Sequence, residues 1–325
     1  MGKRKTIAIL GGGSAGFTAA RIAHAHGARV LFFMGDNADH ASLCVNAGCM
    51  PSKALFEPID AMHHAKRHGW LTVEPHQPNE YLAQIVRWKD SEIAEFRAYR
   101  QKEIRELAND TFTIIRSNAA FVSEHEVVSE GERHTFDAAI IATGSTTIFP
   151  KIDGLERTWD GIWTSDEILH NTRIPKSLAV IGVGAVGLEF SLRYARLGSQ
   201  VTLLSRSPIL SDFPRQFGER LGSIYEREGI RVLLNRQISR ITCRDSGEFV
   251  IESDGADAGT LVVERILLAT GRRPTLDNLG LEKAGVKLNG RGRLEVGDDM
   301  RVKSSKHLFA AGDVAGLRMV VHHAH

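Results

Sequence analysis

The same strand, glycine-rich turn and helix pattern occurs twice in this sequence, and the repeat constrains the fold more than any other feature. The apolar run Thr6–Leu10 leads into residues 11–16 (GGGSAG) and then into a helical run. The apolar run Ser177–Ile181 leads in the same way into residues 182–187 (GVGAVG). Each helical run is followed by a second apolar strand, which is the pattern of a βαβ unit with a dinucleotide fingerprint.

The glycines of such a turn have distinct physical tasks. The first permits the tight turn, the second lets backbone amides approach a pyrophosphate, and the third lets the helix pack closely on the strand. The N-terminus of the following helix adds positive potential for the phosphates. A single turn of this kind is common, but two in the same context predict two dinucleotide sites. The alternative is that both turns are merely structural.

Length and composition agree with a soluble protein of about two domains. The chain has 325 residues, of which 42% are hydrophobic and 25% charged. Its 41 Lys and Arg against 39 Asp and Glu give a net charge of +2, so nucleic-acid binding is not expected. No apolar stretch approaches the roughly 18 residues of a membrane span. The short apolar run near the N-terminus passes into glycines without a cleavage site, so we expect a cytoplasmic protein.

Three further strands are expected to end in polar turns. Ala138–Ala142 runs into Thr143-Gly144-Ser145, Arg265–Ala269 into Thr270-Gly271, and Leu308–Ala311 into Gly312-Asp313. The carboxyl ends of strands in a doubly wound sheet present backbone groups to ligands. Before them, residues 80–108 have the apolar spacing of a long helix.

Two of the three cysteines, Cys44 and Cys49, lie five positions apart. Such a pair can form a small disulfide loop and shuttle two electrons through a mixed disulfide. If the segment opens a helix, the helix dipole and nearby Lys53 would favour a thiolate. Zinc would need about four Cys or His ligands. Only Cys243 remains elsewhere, so we expect no metal site.

The segment from Cys44 to Lys53 (CVNAGCMPSK) resembles the redox-active segment of the flavoprotein pyridine nucleotide–disulfide oxidoreductases. Dihydrolipoamide dehydrogenase, glutathione reductase and mercuric reductase belong to that family, and the other motifs follow in its order. The resemblance implies an α/β fold with two Rossmann-like domains. Residues 1–148 and 270–325 would form the FAD domain, and residues 149–269 an inserted NAD(P)H domain.

The resemblance also implies roles for individual residues. Cys49 would lie against the flavin and accept its electrons, and Cys44 would attack the substrate. Lys53 would lie near the flavin with Glu189 as its ion-pair partner. The first glycine turn, residues 143–145 and Asp313 would bind FAD, and the second turn and Gly271 the nicotinamide nucleotide. The implied cofactor contacts are Gly11, Gly13, Ser14, Ala15, Gly16, Met34, Lys53, Ala119, Thr143, Gly144, Ser145, Gly182, Gly184, Ala185, Val186, Gly187, Glu189, Ser205, Arg206, Gly271, Asp313, Met319 and His322.

Two ribose positions depart from the family pattern. Met34 replaces the acidic residue expected on the adenosine ribose of FAD. A thioether cannot accept the two hydroxyl hydrogen bonds, so FAD would bind less tightly unless Asp36 accepts them instead. In the second site the sequence is Ser205-Arg206, where a glutamate would select NADH. Arginine pairs with a 2′-phosphate, so NADPH is slightly favoured. The alternative is that Arg206 is only a solvated cation. Ser211 stands where glutathione reductase has a second arginine, which weakens the preference for NADPH.

Family members carry a further C-terminal domain of roughly a hundred residues. That domain builds a homodimer and supplies a His–Glu pair for acid–base catalysis. The sequence ends at His322-His323-Ala324-His325, so the dimerisation domain is expected to be absent here. We interpret these histidines as part of an interrupted helix and not as a metal-binding tail.

The leading hypothesis is an FAD-dependent oxidoreductase that passes electrons between NAD(P)H and an acceptor through Cys44–Cys49. The acceptor would be a small-molecule disulfide, such as a lipoamide-like compound, or a metal ion. Dihydrolipoamide dehydrogenase runs the same relay towards NAD. The alternatives are a truncated nucleotide-binding fragment without physiological turnover, a mercuric reductase, or an NAD(P)H diaphorase in which the dithiol is a spectator.

Overall fold

The structure is a computed structural model that describes residues 4–35, 42–70, 77–254 and 259–316. Asp36, Met319 and the histidines from His322 onward lie outside the described residues. The helices are α1 (Ser14–Ala25), α2 (Leu43–Asn46), α3 (Cys49–Arg67), α4 (Pro78–Leu107), α5 (Ser165–Ile168), α6 (Ala185–Arg196) and α7 (Arg215–Arg227). Short 3-10 helices span Leu281–Ala284 and Gly312–Ala315.

The strands follow the predicted order, with additional short strands between them. They are β1 (Thr6–Leu10), β2 (Arg29–Phe33), β3 (Phe112–Ile115), β4 (Ala120–Ser123), β5 (Glu126–Ser129), β6 (Glu132–Thr135), β7 (Ala138–Ile141), β8 (Ser145–Thr147), β9 (Ile162–Trp163), β10 (Ser177–Ile181), β11 (Gln200–Leu204), β12 (Arg231–Leu233), β13 (Gln237–Cys243), β14 (Phe249–Asp254), β15 (Gly259–Val263), β16 (Arg265–Leu268), β17 (Arg272–Pro274) and β18 (Leu308–Ala310).

Packing divides the chain into two compact units. The described residues of 1–46, 93–146 and 272–325 form the first, and those of 47–92 and 147–271 form the second. The predicted boundaries placed residues 47–92 with the first glycine turn. In the structure, apolar side chains of α3 and α4 such as Leu55, Ile59 and Leu82 share a core with α6, which explains the division. The assignment of one unit to FAD and the other to NAD(P)H stays a prediction.

The first unit is built on a five-stranded parallel sheet in the order β18-β7-β1-β2-β3. Side chains of β1 alternate between its two faces, because successive residues of a strand point to opposite sides. Ala8 and Leu10 pack in one core with Phe121, whereas Ile9 packs in another with Phe17 of α1. An antiparallel three-stranded sheet, β4-β5-β6, adjoins this layer.

The second unit repeats this plan with the parallel order β12-β11-β10-β16-β9. Leu178 and Val180 of β10 face α3 and α6, and Ala179 faces Phe249 of a three-stranded antiparallel sheet, β13-β14-β15. Parallel sheets are covered on both faces, which explains why their central strands are apolar throughout. The predicted α/β class with two Rossmann-like sheets is confirmed. Within the described residues, no helix combines the length and apolar character needed to cross a bilayer.

A buried tyrosine ties α7 to α6 and makes stability depend on pH. The Tyr225 hydroxyl donates to the Leu188 carbonyl oxygen at 2.8 Å. Burial raises the pKa of Tyr225 to about 12, above its ordinary value of 10.0. Because the folded pKa is the higher one, this stabilisation is complete below pH 10 and is lost as the pH rises towards 12.

The unfolding free energy should fall with pH between pH 10 and 12, because the unfolded state releases the Tyr225 proton first. We predict that Tyr225→Phe makes this slope shallower, by an amount that corresponds to at most one proton. At pH 7 the variant should lose about 1 kcal/mol, the net value of a typical hydrogen bond. Urea unfolding at a series of pH values measures both quantities. Tyr99→Phe, at a 61% exposed position, is the control and should keep the wild-type slope. An unchanged slope in Tyr225→Phe would contradict the assignment.

Candidate redox active site

The first glycine turn is closed on the side of its own fold and open on the other. A Cβ on Gly11, which has φ +122°, would lie 2.2 Å from the Ala142 carbonyl oxygen. A Cβ on Gly16 would lie 1.8 Å from the Gly11 carbonyl oxygen. Around Gly13, which precedes α1, no atom of the described residues other than its two chain neighbours lies within 4 Å of such a Cβ. The open side therefore offers backbone amides and a helix N-terminus to a phosphate group.

The second glycine turn has the same geometry. A Cβ on Gly182 (φ +120°) would lie 2.2 Å from the Ala269 carbonyl oxygen, and one on Gly187 2.0 Å from the Gly182 carbonyl oxygen. The position corresponding to Gly13 is Gly184. Its chain neighbours aside, no atom in the described part of the chain lies within 4 Å of its Cβ position. Ala185 and Val186, which begin α6, are exposed. Both predicted fingerprints are thus cradles that a side chain on the middle glycine would fill.

The predicted polar turns of the first unit are joined by hydrogen bonds. Ser145 Oγ donates to Asp313 Oδ2 at 2.5 Å, and Thr143 Oγ1 donates to the Thr275 carbonyl oxygen at 2.6 Å. Arg272 donates to Ser145 Oγ (2.9 Å) and to its carbonyl oxygen (2.8 Å). Arg272 was not among the predicted site residues, although it follows Gly271 directly. An arginine just after a Thr-Gly strand end was the available signal.

The predicted adenosine end of the first unit is largely apolar. Met34 is 8% exposed and packs in the core with Phe17, and the position of a Cβ on Gly12 lies 3.1 Å from its Cβ. Ala119 is buried as well. The amide oxygen of Asn118 lies 3.1 Å from the position of a Cβ on Gly35, which follows Met34. A polar acceptor therefore stands beside this strand end on a residue that the sequence did not single out.

The two cysteines of the redox segment form a disulfide. Cys44 lies in α2 and is half-buried, whereas Cys49 is the first residue of α3 and is exposed. Cys49 therefore meets the condition under which the helix dipole and Lys53 favour a thiolate. Cys243 of β13 is a free, exposed thiol, and the described residues contain no group of three or more potential ligands that could hold a metal ion.

The ion pair expected between Lys53 of α3 and Glu189 of α6 is present. Lys53 lies one helical turn after Cys49, so the two residues share a face of α3. The side chains are 58% and 37% exposed, which limits such a pair to about 0–1 kcal/mol of stability. Its significance is therefore its position beside the disulfide.

The predicted ribose position of the second unit is held by the backbone. Ser205 is 8% exposed, and its Oγ accepts from the Ser207 amide at 3.0 Å. Arg206 is exposed and makes no ion pair with the residues that the structure describes. The backbone amide of Arg236 donates to the Ser205 carbonyl oxygen at 2.9 Å. A second arginine is therefore attached to the backbone next to this position. Gly271 (φ +98°) lies between β16 and β17.

Comparison with known proteins decides the family. A family model described as pyridine nucleotide-disulphide oxidoreductase matches residues 5–325. The chain belongs to this family. The expected FAD and nicotinamide nucleotide cofactors follow from this membership at the level of the family.

Members of the pyridine nucleotide-disulphide oxidoreductase family similar to this chain carry different names. A mercuric reductase of Shewanella putrefaciens is 33% identical over 321 residues, covering 97% of this chain and 56% of the relative. A dihydrolipoyl dehydrogenase of Thermus scotoductus is 32% identical over 326 residues, covering 99% and 68%. The Cu(II) complex of RclA, a HOCl-induced flavoprotein disulfide reductase of Escherichia coli, superposes with a TM-score of 0.84 at 25% identity, covering 100% and 69%. The chain thus spans little more than half of the mercuric reductases it matches.

The glycine turns generate a prediction about stability alone. Gly16→Ala should destabilise the protein by about 1–3 kcal/mol or more, since its Cβ would overlap a backbone oxygen. Gly13→Ala should stay within about 1 kcal/mol of wild type, because its extended backbone accepts alanine and, among the residues that the structure describes, only its chain neighbours lie near the new methyl group. Urea unfolding of the cofactor-free variants measures the difference. Equal losses in the two variants would refute the geometry described for the turn.

Proposed function

We propose that this protein is an FAD-dependent oxidoreductase that moves electrons from NAD(P)H through the Cys44–Cys49 disulfide to a small acceptor. The observation that carries the proposal is a disulfide whose second cysteine begins a helix, one turn before the Lys53–Glu189 ion pair. A helix N-terminus and a nearby lysine both stabilise a thiolate, which is the form of cysteine that takes part in disulfide exchange.

The residues present fit FAD at the first glycine turn. The open side of Gly13 and the N-terminus of α1 suit its pyrophosphate. Asp313, which accepts from Ser145 Oγ, suits hydroxyl groups of the ribityl chain, and Arg272 in turn donates to Ser145. Met34 leaves the ribose position without a carboxylate, and the amide oxygen of Asn118, beside the next residue Gly35, is a candidate acceptor. Bound FAD would take a hydride from NAD(P)H and deliver the electron pair to the disulfide.

The two thiols then have separate tasks. Reduction of the disulfide takes two electrons and two protons and yields the Cys44 and Cys49 thiols, of which Cys49 lies in the positive potential at the start of α3. Cys44 attacks a substrate disulfide, forms a mixed disulfide with one half and releases the other half as a thiol. Cys49 then attacks Cys44, which releases the second thiol and restores the Cys44–Cys49 bond.

The second glycine turn is the proposed site for the nicotinamide nucleotide. Gly184 is open to a pyrophosphate, and α6 begins beside it. Arg206 and the nearby Arg236 favour NADPH, since guanidinium groups pair with a 2′-phosphate.

The acceptor is a small disulfide or a thiol-reactive metal ion. Relatives named for mercuric ion and for the dihydrolipoyl group support both classes. The chain covers 56% of the Shewanella relative, so the substrate class and a homodimeric assembly are proposals for the whole protein.

An anaerobic visible spectrum tests the relay. Titration with NADPH, and separately with NADH, should produce a long-wavelength band from the Cys49 thiolate beside oxidised flavin, with NADPH titrating faster. Cys44→Ser should show the band without reductant, since Cys49 can no longer be oxidised by its partner. Reduction of a small aromatic disulfide should fall about a hundredfold or more in this variant. Colourless protein, flavin bleaching without the band, or full disulfide reduction by Cys44→Ser would refute the proposal.

The two turns can be assigned to their cofactors by a matched pair of variants. Gly13→Ala should lower the flavin content of purified protein while the affinity for NADPH in the remaining holoenzyme is kept. Gly184→Ala should keep the flavin and weaken NADPH binding about tenfold or more, because its methyl group fills the cradle. Absorbance ratios and titration give both values. The reverse pattern would exchange the two assignments, and no effect in either variant would refute them.

A further inference from the structure

Helices α3 and α6 pack side by side, and later residues of α3 contact later residues of α6. Lys53 pairs with Glu189, Phe56 meets Phe190 with ring centroids 5.0 Å apart, and Asp60 pairs with arginines further along α6. Since both sets of numbers rise together, the helices are parallel. Their N-termini, which carry Cys49 and the second glycine turn, therefore lie at the same end.

The contacts of Asp60 are better shielded from water than the Lys53–Glu189 pair and use both carboxylate oxygens. Its Oδ2 accepts from Arg193 Nη2 and its Oδ1 from Arg196 Nη1, both at 2.7 Å. The exposed fractions are 24% for Asp60, 19% for Arg193 and 12% for Arg196, well below those of the Lys53–Glu189 pair. Charge-assisted hydrogen bonds of this length, shielded from water, are stronger than exposed ones. The carboxylate thus uses both oxygens to hold two successive turns of α6.

The two arginines are themselves fixed by other groups. Arg196 also pairs with Glu228, just after α7, at 3.3 Å, and that hydrogen bond is the main reason the pKa of Glu228 is lowered. The Arg193 guanidinium lies 4.8 Å from the centre of the Phe56 ring. A carboxylate held by two restrained arginines defines the position of its helix along its partner.

We propose that Asp60 is a positioning residue that sets the register of α3 against α6 and thereby places Lys53 opposite Glu189 at the redox end of α3. Asp60 lies seven residues after Lys53, about 10 Å along the helix axis, and further still from Cys49, so it does not contact the disulfide. It acts through the Lys53–Glu189 pair, which holds the first turn of α3 and the positive potential at Cys49. The proposal rests on the redox role proposed above for Cys44–Cys49.

The test is the equilibrium between disulfide and dithiol in dithiothreitol buffers, read by alkylation and gel shift, which needs neither flavin nor nucleotide. Asp60→Asn removes the charge but keeps the shape, and should shift the equilibrium towards the disulfide by about two- to fivefold, the size of a helix-terminus charge effect. A tenfold shift would correspond to about 30 mV for this two-electron couple. Asp60→Glu, which keeps the carboxylate, should restore most of the wild-type value.

Two further variants separate positioning from loss of stability. Phe249 of β14 packs on the second unit's parallel sheet, on the face opposite to α3 and α6. Phe249→Leu should destabilise the unit without moving the equilibrium between disulfide and dithiol. In a Lys53→Met background, Asp60→Asn should have no further effect, because the pair through which it acts is gone. If Asp60→Asn does not fold, Arg193→Gln leaves the Arg196 contact and should give a smaller shift in the same direction.

The proposal is overturned if Asp60→Asn stays within about 1.5-fold of wild type, or if Phe249→Leu shifts the equilibrium as much. An undiminished effect of Asp60→Asn in the Lys53→Met background would also overturn it. Failure of the proposed function would be visible elsewhere, as protein that binds no flavin while the equilibrium shifts are still present.

Discussion

Both units depend on the close approach of a helix to the turn that precedes it, an approach that any side chain would prevent. At Gly16 and Gly187 the space for a Cβ is already filled by a backbone oxygen of the same turn. With that contact made, the helix N-terminus points past the strand end, and the middle glycine is left open towards solvent. The packing that stabilises each βαβ unit is therefore also what creates its anion cradle. Folding and binding are coupled in the same few atoms.

Helix α3 brings the redox chemistry into this framework. It starts at Cys49, buries Leu55, Phe56 and Ile59 in the core beneath α6, and lies parallel to that helix. The disulfide segment is thus attached to the layer that carries the second glycine turn. A reactive cysteine needs a defined electrostatic environment, and a 19-residue helix packed over several turns provides one more firmly than a loop could.

The sequence allowed the parallel strands and the two turns to be predicted, because each has a local pattern of its own. A helix start at the redox segment entered only as a condition for stabilising a thiolate. The Lys53–Glu189 pair could be predicted only through the family resemblance. Arg272 and the Asp60 contacts were missed, since their partners are more than 120 residues away and a charged residue on a helix is usually solvated. Sheet β13-β14-β15 was missed too, because β13 and β14 mix charged and apolar residues and β15 is a short run that begins with glycine. The grouping of residues 47–92 with the second unit depends on tertiary packing and has no local signal.

The parallel arrangement of α3 and α6 has an electrostatic cost. Neighbouring helices that run in the same direction place like ends of their macrodipoles side by side, which is repulsive, whereas antiparallel neighbours attract. The alternating charges at Lys53–Glu189 and at Asp60 with its two arginines work against that repulsion. Dissolved salt screens the more exposed of these interactions first, with a Debye length of about 8 Å at physiological ionic strength. The interaction free energy of the two helices therefore has two contributions. The exposed ion pair at the disulfide end is sensitive to salt, and the buried Phe56–Phe190 contact is not.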